Sequence, residues 1–97
     1  MANIIIHCYY KGAEGAAKGF FEEMQTGLQK DVYAEDGCIR YDYYLSAKDG
    51  CAGVLLEKWR DRAALDAHQK GEPMQKLLKV KEKYHIDTTV EIYELKE

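Results

Sequence analysis

One stretch constrains this chain more than any other: Val54 to His68, VLLEKWRDRAALDAH. Its first part ends in Arg60 and a helix start at Asp61, after which a short helix runs to His68. The stretch therefore reads as a buried strand, Val54 to Trp59, feeding a short helix. Asp61 is suited to cap that helix, because its carboxylate can accept from the free amides of the first turn. On a helix begun at Asp61, Ala64, Leu65 and His68 share one face, so the imidazole is carried back over the sheet.

The remaining elements follow from the same rules. Asn3 to Tyr10 (NIIIHCYY) is β-branched and aromatic and almost continuously apolar, as in a central strand covered on both faces. Beyond Lys11-Gly12, the positions Ala17, Phe20, Phe21, Met24 and Leu28 form the stripe of an amphipathic helix. Gly19 and Gly27 weaken that helix and are expected to let it pack closely on the sheet. Asp36-Gly37 is a turn signal. Cys38 to Ala47 then alternates, with Ile39, Tyr41, Tyr43 and Leu45 on one side and Arg40, Asp42, Tyr44 and Ser46 on the other. Lys48-Asp49-Gly50 is short enough to join this strand to the next, Gly53 to Arg60, as an antiparallel hairpin. Gly71-Glu72-Pro73 interrupts the second helical region, with Pro73 in the first turn of a new helix. Met74, Leu77, Leu78 and Lys81 share that helix's inner face with the Tyr84 region. Ile86 to Leu95 closes as a fourth strand, and the order β-α-β-β-α-β is that of a ferredoxin-like α+β domain.

Length and composition bound the rest. The 97 residues suit one domain spanning 1–97, with a net charge of −3 and one proline. Nothing approaches the ~20 apolar residues of a membrane span, and the N-terminus lacks a signal-peptide pattern, so a cytoplasmic location and no membrane partner are expected. Scattered basic residues argue against nucleic acid; Lys76, Lys79, Lys81 and Lys83 read as a solvated helix face. Cys8, Cys38 and Cys51 have no ligand spacing, so free thiols are expected in place of a disulfide framework or a metal site. No cofactor motif is present either. A four-stranded sheet with helices on one face leaves the other face bare, and 8 Tyr plus Trp59 make that face aromatic. A homodimer closing two sheets into a barrel would cover it.

Five residues stand out for chemistry. His68 can exchange a proton near neutral pH, against the plainer reading of a core histidine satisfied by a carbonyl. Glu57 and Trp59 share a face with Leu55; a buried carboxylate there could orient His68 or act as a base, or else pair with Arg40 of the adjacent strand. Trp59 and Tyr43, with Tyr41, could line an aromatic pocket or simply fill the core. His7 would lie near Glu57 if the central strands ran parallel. His85 reads as surface, and Asn3 as a strand-edge residue.

The AEDGCIRYDYYLS turn-strand, the LLEKWRDRAALDAH strand-helix, the broken second helix after Pro73 and the final VEIYEL strand, in that order, resemble the antibiotic biosynthesis monooxygenase family across nearly the whole chain. The resemblance implies a dimeric α+β barrel of ferredoxin-like subunits. Several members of that family oxidise phenols or quinols with O2 and no metal or bound cofactor, and His68 matches the family's helix histidine. Trp59, Glu57, Tyr43 and His7 follow as pocket residues. Haem-degrading relatives use an Asn-Trp-His set that this chain lacks: His68 stands about where their helix Trp is expected, and Leu77-Leu78 occupy the region of their proximal His. Relatives that isomerise phosphorylated sugars carry an HxxxxP pattern matched by His68 to Pro73, which gives a second enzymatic expectation, with Arg40 or Arg62 to meet the phosphate. A dimeric binder of a hydrophobic metabolite is the non-enzymatic alternative.

Overall fold

The computed structural model describes residues 2–48 and 50–96. Eight elements follow in order: β1 (Asn3–Lys11), α1 (Ala16–Gly27), α2 (Gln29–Tyr33), β2 (Cys38–Leu45), β3 (Ala52–Trp59), α3 (Arg62–Gln69), α4 (Glu72–Tyr84) and β4 (Asp87–Leu95). The strands form one sheet in the order β2-β3-β1-β4, antiparallel throughout, which is the ferredoxin-like arrangement. The sheet is open, with β2 and β4 at its edges, and the single chain forms no closed barrel. Asp49, in the expected turn between β2 and β3, lies outside the described residues; on either side of it the hairpin is closed by Ser46 N–H donating to the Ala52 carbonyl.

One face of the sheet carries the core. Ile4, Ile6, Cys8 and Tyr10 of β1, Tyr41 of β2, and Leu55, Glu57 and Trp59 of β3 point beneath the helices. The expected α1 stripe is buried, with Ala17, Phe20, Phe21, Met24 and Leu28 sealed from solvent. Leu28 also divides α1 from α2, its backbone leaving the helical region at φ −137°. Gly19 does permit a close approach, but of Tyr84 from α4 and not of the sheet; a Cβ there would lie 2.7 Å from the tyrosine ring. Leu78 points outward, and Val80 packs with Met74 and Tyr84 in its place.

Two other expectations are corrected. The alternation of β2 breaks between Cys38 and Arg40, where Ile39 is an extra residue in the ladder: Cys38 pairs with Trp59 and Arg40 with Lys58. Ile39 is thereby turned out of the core and is 48% exposed. And β1, though central, is covered on one face only; His7 and Tyr9 project from the bare side.

Gly37 ends the turn into β2 with φ +84°, a conformation that suits glycine, and a Cβ there would collide with the Ala64 methyl of α3. Gly37→Ala is therefore expected to cost about 2–4 kcal/mol in chemical denaturation, from the left-handed backbone and the overpacked contact together. Gly27→Ala, in open space on α1, serves as the control and should leave stability unchanged or raise it.

Candidate functional site

The strand-to-helix stretch assembles the site. Asp61 caps α3, its Oδ1 accepting from Ala64 N–H at 2.9 Å, and this fixes the helix so that Ala64, Leu65 and His68 all face inward. The His68 ring stacks on Trp59, with centroids 4.6 Å apart and planes 29° from parallel, and meets the Tyr41 ring edge-on at 5.8 Å. Trp59 Nε1–H donates to Glu57 Oε1 at 2.9 Å, and the Cys8 thiol donates to the other carboxylate oxygen at 3.4 Å. Tyr43 extends the cluster, its hydroxyl donating to that of Tyr41 at 3.3 Å. Four of the five residues singled out in the sequence, His68, Trp59, Glu57 and Tyr43, are thus in one cluster.

His7 is not among them. Because β1 and β3 run antiparallel, His7 pairs with Leu56 and falls on the opposite face of the sheet from Glu57, which pairs with Ile6. There it lies 3.8 Å from Glu91 Oε1 and packs edge-on to Tyr9 and Tyr93. Arg40 is on that far face as well, 3.6 Å from Asp42, so it forms no ion pair with Glu57.

The residue that the sequence reading missed is Glu35. It follows α2, and its carboxylate meets His68 Nδ1 at 2.9 and 3.2 Å. It stands 33 positions from His68 with no periodic pattern around it, and only the three-dimensional turn at Asp36-Gly37 brings it across. Beside the pair lies an open depression of about 420 Å³, lined by Glu35, Asp36, Arg60, Ala63, Ala64, Ala67, His68, Gly71 and Pro73. Arg60 at its rim is held by Asp36 through two bonds of 3.0 Å.

Electrostatically the interior favours neutral groups. Burial pushes the Cys8 thiol up to about 12, with the neighbouring Glu57 adding to the effect. Burial likewise raises the Tyr41 and Tyr43 phenols, so both remain protonated donors. Glu57 is raised above the ordinary 4.5 by burial, opposed by its bond from Trp59. An acid whose folded value is raised contributes stability below its unfolded value and loses that contribution as pH climbs through the folded one. Glu57→Gln, which retains the acceptor for Trp59, should therefore be more stable than the parent at pH 7, with the gap closing as pH falls toward 4.5. Urea titrations at both pH values check this. Among the described residues, no three His, Cys, Asp or Glu side chains are grouped to hold a metal ion. His68 Nε2 is buried and has no hydrogen-bond partner.

The site can be set against known proteins. Residues 3–80 match the family described as antibiotic biosynthesis monooxygenase. The chain belongs to that family. Rv0793 of Mycobacterium tuberculosis, a proposed monooxygenase by name, is 58% identical over 61 residues, 63% of this chain but only 54% of that protein. The match thus spans about half the length of that relative. YcnE of Bacillus subtilis, also named as a proposed monooxygenase, is 32% identical over 67% of each chain. A solved structure of a proposed antibiotic biosynthesis monooxygenase from Deinococcus radiodurans superposes with a TM-score of 0.84 at 17% identity, covering 97% of this chain and 93% of that one, a likeness of fold.

Proposed function

We propose that this family member is a monooxygenase that oxidises a quinol or similar polyphenol with O2, using neither a metal nor a bound cofactor, with His68 as the base. The observation that carries this reading is the buried His68 Nε2, which lacks a partner beside the Trp59 and Tyr41 rings. A buried polar atom is normally satisfied, and a nitrogen left open in an aromatic setting suits a phenolic O–H. His68 takes the phenolic proton, and the electron-rich anion then reduces O2. One oxygen atom enters the ring and the other leaves as water, so quinol plus O2 becomes hydroxyquinone plus water, with all electrons supplied by the substrate. Trp59 stacks on the imidazole and backs it, and its N–H is engaged by Glu57 and is not spent on the substrate. Nε2 is closed to solvent, and the depression lined by Glu35, Ala64 and His68 is the opening from which a substrate would approach it.

The same proposal includes a homodimer in the cytoplasm. The bare sheet face presents Tyr9, Ile39, Tyr44, Tyr93 and Leu95, each more than two-fifths exposed, and a second copy would cover this patch. His7 then belongs to the interface and touches substrate only if the partner's site reaches it. One observation favours a second reading: His68 is as sealed as a histidine that serves packing alone, 2% exposed, which fits a binder of hydrophobic metabolites. The isomerase reading is weaker. Arg40 is on the wrong face, Arg62 is exposed at the start of α3, and Arg60 is committed to Asp36. The deciding experiment is oxygen uptake by metal-stripped protein over a panel of hydroquinones. Uptake above autoxidation supports the monooxygenase; ligand binding with no uptake across the panel supports the binder.

A further inference from the structure

We propose that Glu35 is a positioning residue: its carboxylate holds His68 as the tautomer protonated at Nδ1, which leaves Nε2 as the bare nitrogen that accepts the substrate's proton. The proposal rests on His68 acting as the base and adds which of its atoms does so, and why.

The geometry leaves little choice of tautomer. A carboxylate only accepts, so the contact of 2.9 Å between Glu35 Oε1 and His68 Nδ1 requires the hydrogen on Nδ1. A bare Nδ1 would set a lone pair against an anionic oxygen. A hydrogen on Nε2 would be a buried donor with no acceptor in reach, since that atom has no partner. The two ring nitrogens diverge, so Nε2 faces away from Glu35. Glu57 is the other carboxylate close enough to act on the imidazole, and both its oxygens are occupied, by Trp59 Nε1 and the Cys8 thiol.

Glu35 is itself held in place. Its N–H donates to the Val32 carbonyl, its own carbonyl accepts from Cys38 N–H at 3.2 Å, and the Gly37 carbonyl accepts from Arg60 N–H at 2.8 Å. The same Arg60 grips the Asp36 carboxylate with two bonds, so the neighbouring acid is drawn away and Glu35 is left to face His68. The remaining titratable groups around the pair are Tyr41 from β2, packed edge-on to the imidazole, and Cys38, whose thiol is pushed up to about 11 by burial and then by Glu35. Both are neutral and leave the tautomer to the carboxylate. A carboxylate that orients a base from behind is the same division of labour that fixes histidine tautomers in other catalytic pairs.

The test reads the tautomer directly, by long-range proton–nitrogen NMR of the imidazole, with the His68→Asn spectrum identifying which signals belong to position 68. Wild type should show a protonated Nδ1 and a bare Nε2. Glu35→Gln, whose amide can donate to Nδ1 as well as accept from it, should show a mixture. Its kcat for hydroquinone oxidation should fall about tenfold or more, with KM changed by less than about twofold. Wild-type His68 protonated at Nε2 overturns the proposal without any variant. So does Glu35→Gln with both tautomer and kcat unchanged. Absence of turnover in wild type overturns the base role itself, and the spectrum then judges separately whether Glu35 sets the ring.

Discussion

Trp59→Ala should be the most destabilising single substitution in the chain, lowering unfolding free energy by about 4–6 kcal/mol. Trp59 is fully buried at the end of β3. Truncating a core tryptophan costs about 3–5 kcal/mol through lost burial and the cavity left behind. A second cost arises here. The indole N–H is Glu57's stronger donor, at 2.9 Å, and without it the buried carboxylate keeps only the Cys8 thiol at 3.4 Å. Leaving a buried acceptor short of a partner costs about 1–3 kcal/mol. Small domains hold only about 5–15 kcal/mol in total, so the variant should be near its limit at physiological temperature. Urea denaturation measures the loss. Trp59→Phe, which keeps an aromatic surface for His68 but loses the N–H and part of the indole's volume, should lose roughly half as much, and Glu57→Gln should lessen the damage in either background. A loss under about 1 kcal/mol for Trp59→Ala would contradict this account of the core.

His68→Asn should have the largest effect on activity, reducing kcat for quinol oxidation about 10²- to 10⁴-fold, the range that a positioned general base supplies. Asparagine retains a nitrogen that can donate to Glu35, so the hydrogen bond on that side of the cluster survives while the proton-accepting nitrogen is removed. Stability should fall by about 1–2 kcal/mol for the smaller ring-stacking surface on Trp59. A large drop in kcat beside a small drop in stability separates the catalytic role from the packing role. If both quantities move little, His68 is neither.

The structure also shows which parts of the site a sequence can reveal. The strand pattern to Trp59, the capping residue Asp61 and the shared face of Ala64, Leu65 and His68 located β3, the cap and the inward face of α3, because such signals are local. Local pattern therefore placed Glu57, Trp59 and His68 together. Relative strand direction is not local. His7 appeared to approach Glu57 only on the assumption of parallel central strands; the strands are antiparallel, and their register, with His7 opposite Leu56 and Ile6 opposite Glu57, puts the two on opposite faces. The extra residue at Ile39 was invisible for a related reason: a β-bulge shifts the face of a side chain without leaving a mark on hydrophobic alternation. Glu35 was hidden more deeply. It is a charged residue in a connection, unremarkable by composition, and it gains a role only because Gly37 turns the chain back toward α3.

The proposed reaction inserts an oxygen atom into an aromatic substrate without a metal or bound cofactor. The most direct measurement supplies isotope-labelled dioxygen to metal-stripped protein with a hydroquinone that supports uptake, and weighs the product by mass spectrometry. The account predicts one labelled atom in the product, the other label in water, and loss of both in His68→Asn. Product carrying no label, or labelled product formed equally well by His68→Asn, would contradict it.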